Sequence, residues 1–79
     1  MPPVRLTYQQ IAADLAARIA AGEYDAADGL LPSYAKLADL YSVSVATVQR
    51  AIALLRDRGV VVGIPGRGVY VTDPEGTDG

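Results

Sequence analysis

Ser42-Val43-Ser44-Val45-Ala46-Thr47-Val48-Gln49-Arg50-Ala51-Ile52-Ala53-Leu54-Leu55 is the stretch that decides the fold. Ser44 has the side chain of a good helix N-cap, and after it Val48, Ala51, Ile52 and Leu55 recur at helical spacing up to Gly59. Ser42 and Val43 are too few for a flexible loop, so an earlier helix has to stop almost where this one starts. That helix is read from Ser33, another N-cap, over Tyr34 to about Tyr41, with Leu37, Ala38 and Tyr41 on one face. Two helices joined by a tight turn make a helix-turn-helix pair: the first buttresses the second, and the second presents its outer face.

On the N-terminal side, Thr7 followed by Gln10 fits a capping box. Tyr8, Ile11, Ala12, Leu15, Ile19 and Ala20 then form an apolar stripe, and Gly22 stands where a left-handed stop belongs. Glu23 to Leu31 has no sustained period and reads as a connector, closed by Pro32, which holds its predecessor extended. On the C-terminal side, Val60, Val61, Val62 and Ile64 are β-branched, Pro65-Gly66-Arg67-Gly68 is turn chemistry, and Val69 to Thr72 are again strand formers. That is a β-hairpin. The expected fold is mainly α with a small β-hairpin: a winged helix-turn-helix of three helices plus a two-stranded wing over residues 7–72. Residues 1–6 are expected to form an N-terminal arm and residues 73–79 a disordered acidic tail.

At 79 residues the chain holds one domain and one modest core, and its 51% hydrophobic and 20% charged residues suit a globular fold. With no Cys and no His there is no disulfide framework, thiol nucleophile, imidazole base or usual zinc ligand. Neither a catalytic role nor a metal or cofactor is expected. Ile11 to Ala21 is interrupted by Asp14 and Arg18 and is too short for a bilayer span, and no signal-peptide apolar core opens the chain, so a cytoplasmic location without membrane contact is expected.

The net charge of -2 argues at first against a nucleic-acid partner. Its distribution changes that. Asp73, Glu75 and Asp78 lie in the tail, and without them seven basic residues face six acidic ones. From Leu31 to Gly68 the chain carries Lys36, Arg50, Arg56, Arg58 and Arg67 against Asp39 and Asp57, whereas Thr7 to Leu30 carries Arg18 against Asp14, Glu23, Asp25 and Asp28. One part is basic and the other acidic, and the bland reading is two ordinary solvated faces.

With Val48, Ala51, Ile52 and Leu55 inward, Val45, Ala46, Thr47, Gln49 and Arg50 are left near the start of the third helix to meet base edges. Gln49 suits an adenine edge, Val45, Ala46 and Thr47 a thymine methyl, and Arg50 a guanine or a phosphate, each good pair being worth roughly 1 to 3 kcal/mol of discrimination. Ser44 caps the helix while its backbone N–H groups stay available to a phosphate, and Ser33 and Lys36 stand at the equivalent end of the second helix. Arg67, between Gly66 and Gly68, projects from the hairpin tip where the flanking backbone allows close approach, which suits a phosphate or the minor groove. The plainer alternatives are surface or packing residues for Val45 and Ala46, a good helix former for Gln49, and solubility for Arg67. Lys36, Arg56 and Arg58 each read equally as an exposed helix charge or as a phosphate anchor, and Arg56 and Arg58 stand at a helix C-terminus where the dipole favours cations anyway.

Taken in order, Tyr8-Gln9-Gln10-Ile11-Ala12, Ile19 to Gly22, Tyr24, Leu31-Pro32-Ser33, Lys36-Leu37-Ala38, Val43-Ser44, Thr47-Val48, Arg50-Ala51, Leu55, Gly59 and Gly66-Arg67-Gly68-Val69-Tyr70-Val71 resemble the winged-helix DNA-binding domain of the GntR family of bacterial transcription regulators. The resemblance runs from about Thr7 to Thr72. It implies sequence-specific binding of double-stranded operator DNA as a homodimer, with the third helix in the major groove and the Gly-Arg-Gly wing in the neighbouring minor groove. The role implied is that of a repressor on the nucleoid. Family members commonly carry DNA-contacting arginines at the positions of Ala35, Val45 and Gln49. Their absence here implies lower affinity, a different operator and a flatter salt dependence. The family's Pro-Gly in the connector is replaced by Ala26-Ala27, with one residue added before Leu31-Pro32-Ser33. Members also carry a C-terminal ligand-binding and dimerisation domain, so these 79 residues are read as a fragment or as a short free-standing member. A different class of function stays open: a winged helix that binds protein instead of DNA, offering its acidic first helix and tail to a basic partner.

Overall fold

The computed structural model describes residues 6–72. The expected N-terminal arm, Leu6 apart, and the expected acidic tail lie outside the described residues. Chain order is α1 (Tyr8–Ala20), a 3-10 turn (Asp25–Ala27), α2 (Tyr34–Tyr41), α3 (Val45–Asp57), β1 (Val61–Ile64) and β2 (Gly68–Val71). This is the expected winged helix-turn-helix.

Each helix starts where a side chain satisfies a backbone N–H that has no partner inside the helix. Thr7 Oγ1 accepts from the Gln10 amide at 3.2 Å while the Thr7 amide donates to Gln10 Oε1 at 2.8 Å, closing the capping box. Ser33 Oγ accepts from the Lys36 amide and Ser44 Oγ from the Thr47 amide, both at 3.2 Å. Between α2 and α3, Ser42 takes a left-handed conformation at φ 55°, and the Val43 amide donates back to the Ala38 carbonyl at 3.0 Å. This reversal makes the turn tight enough for α3 to leave across α2.

Ile11, Ala12 and Leu15 of α1, Leu37 and Ala38 of α2, and Val48, Ala51, Ile52 and Leu55 of α3 form the core, closed by Leu31 and Val61. α3 is its centre, packing against α1, α2 and β1. Ala20, expected on the buried stripe, is exposed. Five residues beyond Leu15, it has turned roughly 140° around the helix, away from the core.

The connector holds more order than its lack of period suggests. After the 3-10 turn, Leu30 forms a bridge with Tyr70; the Leu31 amide donates to Val69 O at 2.9 Å and the Val71 amide to Gly29 O at 2.7 Å. It therefore flanks β2 and sends Leu31 into the core. β1 and β2 pair antiparallel in the register Val61↔Val71 to Ile64↔Gly68, so Gly68 opens the strand instead of belonging to the turn. Thr72 Oγ1 closes the base of the hairpin, donating to the carbonyls of Gly59 and Val60, 2.6 and 3.0 Å away. A lone two-stranded hairpin is marginal in water, and these contacts fix its angle to α3. Among the described residues no helix is long and apolar enough to cross a membrane.

Candidate nucleic-acid interface

Three short segments carry the residues of interest: the first turn of α2, the first two turns of α3 and the tip of the wing. On α3, Ser44, Val45, Ala46, Gln49 and Arg50 are exposed, Val45 to 40%. Thr47 is half-buried, and its hydroxyl lies 3.0 Å from Ser44 Oγ, so it belongs to the cap as much as to the outer face. Ser33 and Lys36 are exposed on α2, and Ser33, like Ser44, spends its hydroxyl on capping.

At the wing tip Gly66, Arg67 and Gly68 are exposed, and the Arg67 amide donates to the Ile64 carbonyl at 2.9 Å to close the turn. Gly66 sits at φ 79° with open space where a Cβ would be, a conformation costly for other residues at a place another molecule can approach. Gly68, at φ 128°, has an internal reason: a Cβ there would lie 3.2 Å from Leu30 Cδ1. Among the described residues Arg67 has no carboxylate within ion-pair distance.

Arg50 is placed differently from its neighbours. Its guanidinium lies over the ring of Tyr8, 4.6 Å from the centroid, so the stack draws it toward the start of α1.

A second side-chain group joins α1 to α2. Asp14 Oδ2 accepts from Tyr41 Oη at 2.6 Å and from Arg18 Nε at 2.8 Å, and Arg18 Nη1 reaches Glu23 Oε1 at 3.3 Å. Hydrogen bonds from Arg18 and then Tyr41 hold the Asp14 carboxyl below its usual range. Burial, then the bond to Asp14, pushes the Tyr41 phenol above its ordinary value. The unfolded chain therefore gives up the phenolic proton first, and this contribution to stability is present below about pH 10 and lost as pH rises further. The Asp14 contribution has the opposite sense: it is present above about pH 4 and lost as pH falls through the lowered folded value. Tyr41→Phe should cost about 1 kcal/mol at neutral pH, the group being partly solvated. Urea midpoints measured at pH 8 and above pH 10 should converge for the two proteins as alkali rises; a gap that does not change with pH would mean that the fold does not hold the Tyr41 phenol above its ordinary value.

The match to known proteins covers all of these segments. The family model described as bacterial regulatory proteins, gntR family, matches residues 7–71. The chain belongs to the GntR family. Among solved structures, lin2111 from Listeria innocua Clip11262, described as functionally unknown, aligns at a TM-score of 0.70 with 34% identity, covering 81% of this chain and 28% of that one. A crystal structure of mutant ORR3 in complex with the NTD of AraR aligns at 0.70 with 25% identity, covering 91% and 97%. YydK of Bacillus subtilis subsp. subtilis str. 168, a possible transcriptional regulator, aligns at 0.66 with 25% identity, covering 86% and 29%. This chain thus spans under a third of the length of lin2111 and of YydK. No match was found among curated proteins.

As a GntR-family winged helix-turn-helix, the chain is a DNA-binding domain of the type found in transcription regulators. Within this GntR-family frame, sequence reasoning found the three exposed segments but missed what holds two of their members. The Tyr8–Arg50 stack and the Thr47–Ser44 contact depend on how helices and caps come together, and residue spacing carries no signal for the first. For the second, a hydroxyl three residues after the cap was the available clue.

Proposed function

We propose that this chain binds double-stranded DNA in a sequence-specific way as a transcriptional repressor, acting by occupying an operator. The domain is residues 7–72, with α3 in the major groove and the wing tip in the adjacent minor groove. Gln49 reads a base edge, Val45, Ala46 and Thr47 line the groove against thymine methyls, and Ser33, Lys36, Ser44 and Arg50 meet backbone phosphates. Arg67, freed by Gly66 and Gly68, enters the minor groove. Two copies bind one operator, and the protein resides with the nucleoid in the cytoplasm.

One observation carries this reading: along α3 the inward stripe is fully buried while the residues beside it at the helix start are exposed, and an exposed arginine with no carboxylate partner among the described residues tips the wing. The major groove is a slot one helix wide, which suits the exposed start of α3.

Retention on random duplex at low salt, followed by release as salt rises, tests the binding class. Arg67→Ala should weaken binding to all sequences alike, whereas Gln49→Ala should relax preference at one base position by roughly 1 to 3 kcal/mol. Equal losses on every duplex for both variants would end the division of roles, and no retention at all would favour a protein-binding winged helix.

A further inference from the structure

We infer that Arg56 is a further contact to the DNA sugar-phosphate backbone, reached through the groove between the wing and the start of α2. The inference rests on the proposed duplex binding and decides for Arg56 between the two readings that the sequence leaves open, a solvated helix charge and a phosphate anchor. The groove encloses about 850 Å³ and is bounded by Leu30, Ser33, Arg56, Ile64 and Arg67 among others. No Asp or Glu among the described residues lines it. In a chain with nine acidic and seven basic residues, a groove holding two arginines and no carboxylate runs against the average charge.

Arg56 is exposed, and its guanidinium lies along β1: a Cβ built on Gly63 would be 3.6 Å from Arg56 Nη2. The guanidinium thus lies against the strand at Gly63, so the charge is carried toward the wing and is not confined to the end of α3. Along α3, Arg56 stands seven residues after Gln49 and eleven after Val45, which brings all three to nearly the same side of the helix. The family arginines implied at Val45 and Gln49 are missing from that side, and Arg56 supplies a cation one stretch further along it.

The rest of the groove suits the same ligand. Leu30, Val62 and Ile64 are exposed to 37%, 41% and 39%, an apolar wall between two guanidinium groups. A nucleic-acid strand alternates apolar deoxyribose with anionic phosphate, so one ligand satisfies both kinds of surface.

The test is binding of the full chain to labelled random duplex over a range of salt concentrations, comparing the wild type with R56A, R56Q, R56K and R58A. R56A and R56Q should each weaken binding about five- to tenfold on every sequence and lower the salt slope by about 0.9, the value for one phosphate contact. R56K should keep the slope, and R58A, whose residue does not line the groove, should match the wild type. R56Q preserves the stem over β1, so its agreement with R56A separates charge from packing. Wild-type affinity and slope in R56A and R56Q, on a duplex that the wild type binds, would overturn the assignment alone. So would an equal loss in R58A. A wild type that is not retained on duplex would overturn the underlying reading as well.

Discussion

Ile52→Ala lowers the thermal unfolding midpoint by roughly 10 to 30 °C and takes duplex binding with it, although Ile52 lies inside the molecule and meets no partner. Ile52 is fully buried on α3, the helix against which α1, α2 and β1 all pack. Shortening a buried Ile to Ala costs about 2 to 5 kcal/mol, the larger values where surrounding elements cannot collapse into the space. Here they cannot collapse easily, since the tight turn at Ser42 and the base of the hairpin at Thr72 fix the elements on either side. A domain of this size has only about 4 to 12 kcal/mol of stability in all, and 1 kcal/mol moves its midpoint by about 4 to 8 °C. Gln49→Ala, on the exposed side of the same helix, should shift stability by less than about 0.5 kcal/mol. Far-ultraviolet circular dichroism on heating reads both. A midpoint for Ile52→Ala within about 3 °C of the wild type would mean that α3 is not the centre of the core.

How far sequence carried this fold follows from the range of each signal. Caps are local: Thr7 and Gln10 are three residues apart, and their hydroxyl and amide meet as the residue types require. The core stripes are equally local, because burial at Val48, Ala51, Ile52 and Leu55 needs only the helical repeat and one packed side. The connector was opaque because its order comes from forty residues away. Leu30 has no periodic neighbour of its own, and it is the edge of β2 at Tyr70 that gives it an extended partner. The same applies to Tyr41 and Asp14, 27 residues apart, and to Arg50 over Tyr8. Within the candidate interface, exposure of Gln49, Val45 and Arg67 was legible; the direction of the long arginine side chains was not. Arg50 and Arg56 each have several flexible bonds, and only a neighbouring ring or a bare strand selects one path among them.

Restoring charge on α3 raises affinity for duplex on the order of tenfold or more in the double variant Val45→Arg, Gln49→Arg at low salt, the larger part of the gain being independent of sequence. Both positions are exposed, so neither arginine displaces a core residue, and arginine is a better helix former than valine. The family resemblance implies DNA-contacting arginines at both positions, and the start of α3 is the segment assigned above to the major groove. Each added phosphate contact steepens the dependence of log affinity on log salt by about 0.9, so two steepen it by about 1.8. The advantage of the variant over the wild type should then shrink by about twelvefold between 50 and 200 mM salt. Preference among duplexes should narrow, because Gln49 no longer offers its amide to a base while the phosphates of every sequence attract the new charges. Adding the same two charges at Ala13 and Ala17, exposed on α1, separates local contact from overall net charge. Should that control gain as much affinity and slope as the α3 variant, the start of α3 is not where the duplex lies.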